Sequence, residues 1–210
     1  MTGTVTNVYV DGFNLYYRAV KGTPYRWLNL SKLCTLLLPG HHINRIRYFT
    51  TRIVPPRDDP QKLRRQLTYI RALETIPNLS VHYGQFLTHS VWRPLVNPPT
   101  QGAQTVQVLD TKEKGSDVNL ATYLLVDGFK KEYEMAVVIS NDSDLVPPIK
   151  AVREELGLPV GILHPGGTRS RELSEVAAFY RPIRSRALRA SQFPPVLTDT
   201  RGQVRKPAEW

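Results

Sequence analysis

The chain has 210 residues and a mass of 23.9 kDa, which fits one generous domain, or a core with a tail, but not a second full-sized domain. With 41% apolar and 22% charged residues, it can bury a real core, and disordered, collagen-like, coiled-coil and disulfide-framework classes are excluded. A formal charge of +10 points to a polyanionic partner, because clustered Lys and Arg attract phosphates and release their counterions, although basicity alone names no substrate.

In chain order, residues 5–10 read as a first strand, 28–38 as a helix and 46–53 as a second strand. Pro55-Pro56 breaks the chain, and Asp58 or Asp59 can cap a helix whose face is Leu63, Leu67, Ile70 and Leu73. Residues 79–87 alternate like a strand, 90–104 carry the prolines and glycine of a loop, and 105–109 return as a short strand. Gly115-Ser116 precedes a helix through Val118, Ala121, Leu124 and Leu125. Residues 135–139 are continuously apolar, as in a central strand covered on both faces. A helix over 145–156, a strand at 160–163 and a last helix over 170–179 follow. The alternation predicts β-α units around a parallel sheet. Residues 1–182 are expected to form this domain and 183–210 a basic C-terminal extension, with 193–210 outside the core.

The lone cysteine, Cys34, lies in an apolar run and reads as a small buried hydrophobe in a reducing compartment. No segment reaches the roughly 18 apolar residues needed to cross a bilayer, and residues 1–7 are polar, so the expectation is a cytoplasmic protein with no membrane partner. Half of the positive excess lies after residue 180, where seven basic residues face Asp199 and Glu209. A second cluster comprises Arg45, Arg47, Arg52, Arg57, Lys62, Arg64, Arg65 and Arg71, offset nearby only by Asp58 and Asp59.

Acids stand where such a sheet builds a site. Asp11 follows Val8-Tyr9-Val10 directly, and Asn141-Asp142-Ser143-Asp144 follows the 135–139 run, so both sets fall at carboxyl ends of strands, where open α/β sheets bind ligands. Asp117, just after Lys112, Lys114 and Gly115, starts a helix that can point back to the same rim. Each acid alone has a plain structural use, as turn chemistry or helix cap. Together they need a cation or raised pKa values, since two carboxylates about 4 Å apart repel by about 4 kcal/mol at an effective dielectric of 20. An oxygen-only set on turns suits Mg²⁺ or Mn²⁺, with waters retained for chemistry on a phosphodiester.

Val8-Tyr9-Val10-Asp11-Gly12-Phe13-Asn14, Lys114-Gly115-Ser116-Asp117-Val118 and Ser140-Asn141-Asp142-Ser143-Asp144-Leu145 resemble the three ordered signatures of the NYN family, the PIN-like ribonuclease group that includes LabA-like proteins. The resemblance spans about residues 5 to 180. It implies a three-layer α/β/α PIN-like sandwich with a central, mainly parallel sheet. It also implies a Mg²⁺- or Mn²⁺-dependent RNA-cleaving site and a homodimer of the kind common among relatives. By matching position, Asp11, Asp117, Asp142 and Asp144 would hold metal or its water, and Asn14 would hydrogen-bond within the site. Lys114 and Ser140 from the motifs, with Arg64 and Arg65 from the basic cluster, are the candidate substrate contacts. Three departures stand out: Asn141 where glycine is common, Leu145 where an aromatic is common, and no acid in Ala177-Ala178-Phe179, which leaves Glu175 as a substitute.

Other patterns carry less. His41-His42 reads as a turn, and His82, His89 and His164 lack zinc spacing. Asp142-x-Asp144 starts like an EF-hand loop, but Pro147 and Arg153 occupy its glycine and glutamate positions. No dinucleotide or P-loop glycine motif occurs. An aspartyl phosphatase would want an acid where Phe13 stands. His164-Pro165-Gly166-Gly167-Thr168 is a glycine turn able to meet phosphate, and Phe13, Tyr16 and Tyr17 can stack on a base or pack in the core. The expected function is a divalent-metal-dependent endoribonuclease. The alternatives are a non-catalytic RNA-binding module and a DNA-directed metal nuclease.

Overall fold

The protein is described by a computed structural model over residues 3–210. In chain order it runs β1 (Thr4–Asp11), α1 (Gly12–Leu15) with a π-helical turn (Tyr16–Val20), α2 (Leu30–Leu37), β2 (His41–Thr50), α3 (Lys62–Leu73) and β3 (Leu79–Tyr83). An antiparallel ribbon follows, β4 (Gln85–Pro94) with β5 (Thr105–Lys114), then α4 (Ser116–Phe129), β6 (Met135–Ile139), a 3-10 turn (Ser143–Leu145) and α5 (Val146–Glu155). The chain closes with β7 (Val160–His164), α6 (Arg171–Val176), β8 (Phe179–Pro182), α7 (Ser185–Ala190) and a hairpin of β9 (Val196–Asp199) and β10 (Gly202–Arg205).

Six strands form one parallel sheet in the order β3-β2-β1-β6-β7-β8. Period-two alternation sorts its side chains into two cores. Val8, Val10, Ile46, Tyr48, Val137 and Ile139 pack with α2, the end of α3 and α7 on one face; Tyr9, Phe49, Ala136, Val138 and Ile162 pack with α4, α5 and α6 on the other. This is the expected three-layer sandwich, and the apolar runs of the central strands follow from burial on both sides. Among the described residues no helix is long and apolar enough to cross a membrane.

One buried ion pair crosses the second core. Arg47 on β2 grips Asp127 on α4 with two hydrogen bonds, Nε to Oδ2 at 2.7 Å and Nη2 to Oδ1 at 2.8 Å, while Tyr9 donates to the same Oδ2 at 2.8 Å. The guanidinium lies 4.3 Å over the Tyr123 ring, and His82 beside it is pushed down to about 4, by burial first and then by the Arg47 charge. Arg47 therefore belongs to the core and not to a basic surface. Arg45 likewise pairs with Glu132, Arg65 with Asp59, and Arg71 with Asp199, so much of the expected cationic cluster is neutralised within the fold.

Several elements differ from expectation. Residues 79–87 are not one strand: Gly84 breaks them, because a Cβ there would lie 2.4 Å from Glu113 Oε1 and 2.6 Å from the Lys114 carbonyl oxygen. The ribbon crosses at that point, and its arms extend through Pro94 and from Thr105 to Lys114, so the loop is shorter and the returning strand longer than read. The α3 N-cap is Gln61, without a side-chain bond, because Asp59 turns to Arg65. The last predicted helix stops at Val176, and Phe179–Pro182 joins the sheet as β8. Gly161 makes the seat for it, since a Cβ there would sit 2.3 Å from the Phe179 ring.

The 193–210 stretch, expected outside the core, packs on it. Phe193 and Val204 are buried in the first core, the Trp27 indole donates to the Pro194 carbonyl at 2.8 Å, and Arg71 holds Asp199 through two bonds of 2.7 and 2.6 Å. These apolar positions are too widely spaced, among prolines and arginines, to register as a periodic pattern.

Candidate active site

The strand order reverses between β1 and β6, where the chain first builds outward through β2 and β3 and later through β7 and β8. At such a switch point the loops leaving the two adjacent strands part company and open a crevice beyond their carboxyl ends. Asp11 ends β1 and Ser140 to Asp144 follow β6, so both motifs fall in that crevice.

Asp11 is buried, with both oxygens engaged. Oδ1 accepts the Asn14 N–H at 2.9 Å, which caps α1, and Oδ2 accepts the Ser140 hydroxyl at 2.9 Å. Ser140 Oγ in turn accepts the Asp142 N–H at 3.1 Å, Asp142 Oδ1 accepts the Asp144 N–H at 3.0 Å, and Asn14 Oδ1 accepts the Asn141 N–H at 3.1 Å. Six residues from two strand ends thus form one hydrogen-bonded unit. Burial pushes the Asp11 carboxyl up to about 6, and the charges of Asp117 and Asp142 add to the rise against the two bonds it accepts. The carboxyl of Asp117, in the first turn of α4, is raised as well, by burial first and then by Asp142, Glu113 and Asp144. The four expected acids therefore share one electrostatic neighbourhood.

Sequence reasoning missed Glu113. Its Oε1 accepts from Thr51 Oγ1 at 2.7 Å, Ser116 Oγ at 2.6 Å and the Ser116 N–H at 3.2 Å, so it ties β2 and β5 to the start of α4 and adds a fifth negative charge. A glutamate three residues before Ser116, across a glycine, was the available signal. Asn141 was noticed only as a departure. It is 8% exposed; its Nδ2 donates to the Thr168 carbonyl at 2.8 Å and its Oδ1 accepts from the Ser170 N–H and Tyr180 hydroxyl, which joins the acids to the 165–170 turn.

The proposed substrate contacts separate. Ser140 is fully buried with its hydroxyl committed to the acids, so it holds the site and does not meet a substrate. Lys114 is exposed at the end of β5. Adjacent on α3, Arg64 and Arg65 diverge. Arg64 lines a shallow groove with Arg52 and Tyr83, whereas Arg65 pairs with Asp59 and, at 3.7 Å, with Glu209. Glu175 turns to Arg171 at 2.8 Å and supplies no extra acid to the centre.

A cleft of about 150 Å³ opens beside Asp11, lined from Gly12 and Phe13 onward. Tyr16, Tyr17, Tyr48, Tyr69 and Trp210 complete an aromatic lining, and Arg26, Lys62 and Arg65 face one acid, Asp59. Tyr48 lies near enough to Asp11 for that charge to raise its hydroxyl pKa, after the larger effect of burial.

Residues 5–184 match the family described as NYN domain. The chain belongs to that family. NYN domains form a branch of the PIN-like nuclease superfamily. By sequence the chain is 27% identical over 235 residues, covering 98% of it and 75% of the relative, to the 6-hydroxy-3-succinoylpyridine 3-monooxygenase HspA of Pseudomonas putida. In three dimensions this NYN domain is similar to the crystal structure of a Vibrio parahaemolyticus protein of unknown function, with a TM-score of 0.57 and 14% identity over 87% of this chain and 94% of that one. That likeness shows the fold alone.

Proposed function

We propose that this NYN domain hydrolyses RNA phosphodiesters at the acid cluster with Mg²⁺ or Mn²⁺. The observation that carries the reading is Asp11, buried at the switch point within the fields of Asp117 and Asp142. The Asp11 and Asp117 carboxyls are both pushed up, by burial first and by neighbouring carboxylates after it, and a bound cation would offset that cost.

The residues fit such an ion by chemistry. Their donors are all oxygen, which suits a hard divalent cation. Among the described residues no three metal-ligating side chains close into a ready cage. Mg²⁺ asks for less, since one or two carboxylates with waters and substrate phosphate complete its shell. Asp11 and Asp142, with Asp117 across the crevice, would hold it. A bound divalent ion supplies charge neutralisation at the phosphate and a more acidic water. The chain's own residues do the rest: Asn14 and Ser140 fix Asp11, the Asp144 N–H fixes Asp142 Oδ1 and leaves its Oδ2 available, and Glu113 sets the start of α4 that carries Asp117.

A second reading rests on HspA, whose name describes oxygenation of a hydroxypyridine keto acid, and on the aromatic, cationic cleft beside Asp11. In it, the cleft would hold a small aromatic acid and the carboxylates would serve that ring.

The test is incubation of single-stranded and structured RNA, and the matching DNA, with purified protein and Mn²⁺ or Mg²⁺. Cutting of RNA that chelator and Asp142→Ala both abolish supports the proposal, with circular dichroism showing the fold retained. Cutting of DNA alone, or RNA binding with a steep salt dependence and no cutting under either ion, overturns it.

A further inference from the structure

The cleft beside Asp11 is not used by the acid cluster itself, yet Gly12 and Phe13 connect the two within two residues. Its walls are flat. Phe13 and Tyr17 stack with centroids 6.3 Å apart and planes 26° apart, Tyr16 meets Tyr17 edge-on at 5.1 Å, and the back is closed by Tyr69 and Trp210 at 5.8 Å and 65°. Tyr17 is 51% exposed at the mouth, a large aromatic surface left to water. Aromatic faces of this kind hold planar rings, and base stacking on them contributes about 1–3 kcal/mol per base.

Size narrows the ring. A cavity of about 150 Å³ holds one benzene, and this cleft has about that much room. A single six-membered ring fills that room, and a fused bicyclic ring would reach beyond it into the open mouth. Two donors await acceptors on the ring. Arg26 Nε is buried with no hydrogen-bond partner among the described residues, and Lys62 lines the cleft without an ion pair among them. Two acceptors of a pyrimidine, O2 and O4 of uracil or O2 and N3 of cytosine, match both, and a buried donor left unmatched costs about 1–3 kcal/mol.

Resting on the nuclease reading, we propose that this cleft takes the pyrimidine base of a nucleotide next to the scissile phosphate, so that cleavage is biased to sites beside uracil or cytosine. The base would enter past Tyr17, lie against Phe13, Tyr16 and Tyr69, and present two acceptors, O2 with O4 of uracil or O2 with N3 of cytosine, to Arg26 and Lys62. A purine would stay at the mouth.

The experiment titrates the full chain with UMP, CMP, AMP and GMP by NMR, following the Trp210 indole N–H, and maps cuts along a mixed-sequence RNA with Mn²⁺. Pyrimidine nucleotides should bind at least tenfold more tightly than purine ones and shift the Trp210 signal. Tyr17→Ala and Lys62→Ala, both at the cleft mouth or rim, should each cut that preference severalfold. Equal binding of purines, an unmoved Trp210 signal, or binding of a pyridine carboxylate in place of any nucleotide overturns the proposal. RNA cut by an Asp142-dependent reaction with no base bias overturns the cleft inference and leaves the nuclease reading standing. Selective pyrimidine binding in the cleft without cleavage under either ion supports the cleft and overturns the nuclease.

Discussion

Ser140 donates its hydroxyl hydrogen bond to Asp11 Oδ2 at 2.9 Å while accepting the N–H of Asp142 at 3.1 Å, so one small side chain joins acids at the ends of two neighbouring parallel strands. An apolar residue there would leave the buried Asp11 Oδ2 without its donor and the part-buried Asp142 N–H without its acceptor.

Ser140→Ala therefore tests the linkage. Removing the hydroxyl takes away a bond that lowers the Asp11 pKa and leaves the burial that raises it. The carboxyl should titrate above about 6, and the acid limb of the cleavage profile should move to higher pH. Stability should fall by about 1–3 kcal/mol for the unpaired buried group. The two are separable by a pH-rate profile and by urea unfolding; an unmoved acid limb would show that Ser140 does not govern Asp11.

Asp11→Asn should stabilise the protein and end its activity. The folded carboxyl titrates at about 6 against an ordinary 3.8. Stability from this group is full below the unfolded value and is lost as pH rises through the folded one, so at pH 7 the charged form costs the fold about 3 kcal/mol. Asparagine keeps an acceptor for the Asn14 N–H and carries no charge. In chelator at pH 7 the variant should unfold at higher urea than the parent, with a free energy of unfolding greater by up to that amount. The gain should shrink below pH 6 and vanish near pH 4. A variant less stable than the parent at pH 7 would contradict a strained carboxylate at the switch point.

Most of this architecture was legible because the parallel sheet writes itself as apolar runs: 135–139 matched β6 residue for residue, and Asp11 fell at the end of β1 as its place after Val10 implied. What escaped notice has tertiary causes. Phe179 reads as the end of a helix until Gly161 of the neighbouring strand offers it a seat, and 79–87 reads as one strand until the ribbon crosses at Gly84. Glu113 looked like one charge in the lysine-bracketed Lys112-Glu113-Lys114; its three hydrogen bonds come from Thr51 and Ser116, and the Thr51 bond spans 62 positions of chain. Arg47 looked like part of a basic surface because its partner, Asp127, is 80 positions away.

That ion pair yields a prediction of its own. Asp127→Asn keeps the shape of the side chain and removes the charge that compensates Arg47, with the guanidinium still enclosed by Tyr123 and His82. An uncompensated buried charge costs about 3–5 kcal/mol, so the free energy of unfolding, measured in urea, should fall by that much. Replacing both partners with apolar residues, Arg47→Met with Asp127→Leu, should cost clearly less than the single change. A double variant worse than the single one would mean that the pair itself, and not the stranded arginine, sets the loss.

Deleting residues 196–210 tests whether the basic tail is an appendage or part of the body. The deletion removes Val204 from the first core, Trp210 from its contacts with Trp27 and Tyr69, and Asp199 from Arg71. Burial of one such apolar side chain stabilises by about 1.5–3 kcal/mol, and the exposed cleft wall would lose its back. The truncated chain should unfold at markedly lower urea and lose nucleotide binding at the cleft. The Arg71–Asp199 pair holds the Asp199 carboxyl well below the usual range, so its contribution is present above the ordinary carboxylate pKa and is lost as pH falls below it. Docking of the hairpin should accordingly loosen in acid before the sheet melts, seen as amide exchange at Val204 rising ahead of that at Val138. Full stability after truncation, together with unchanged nucleotide affinity, would return the tail to the status of a solvated extension.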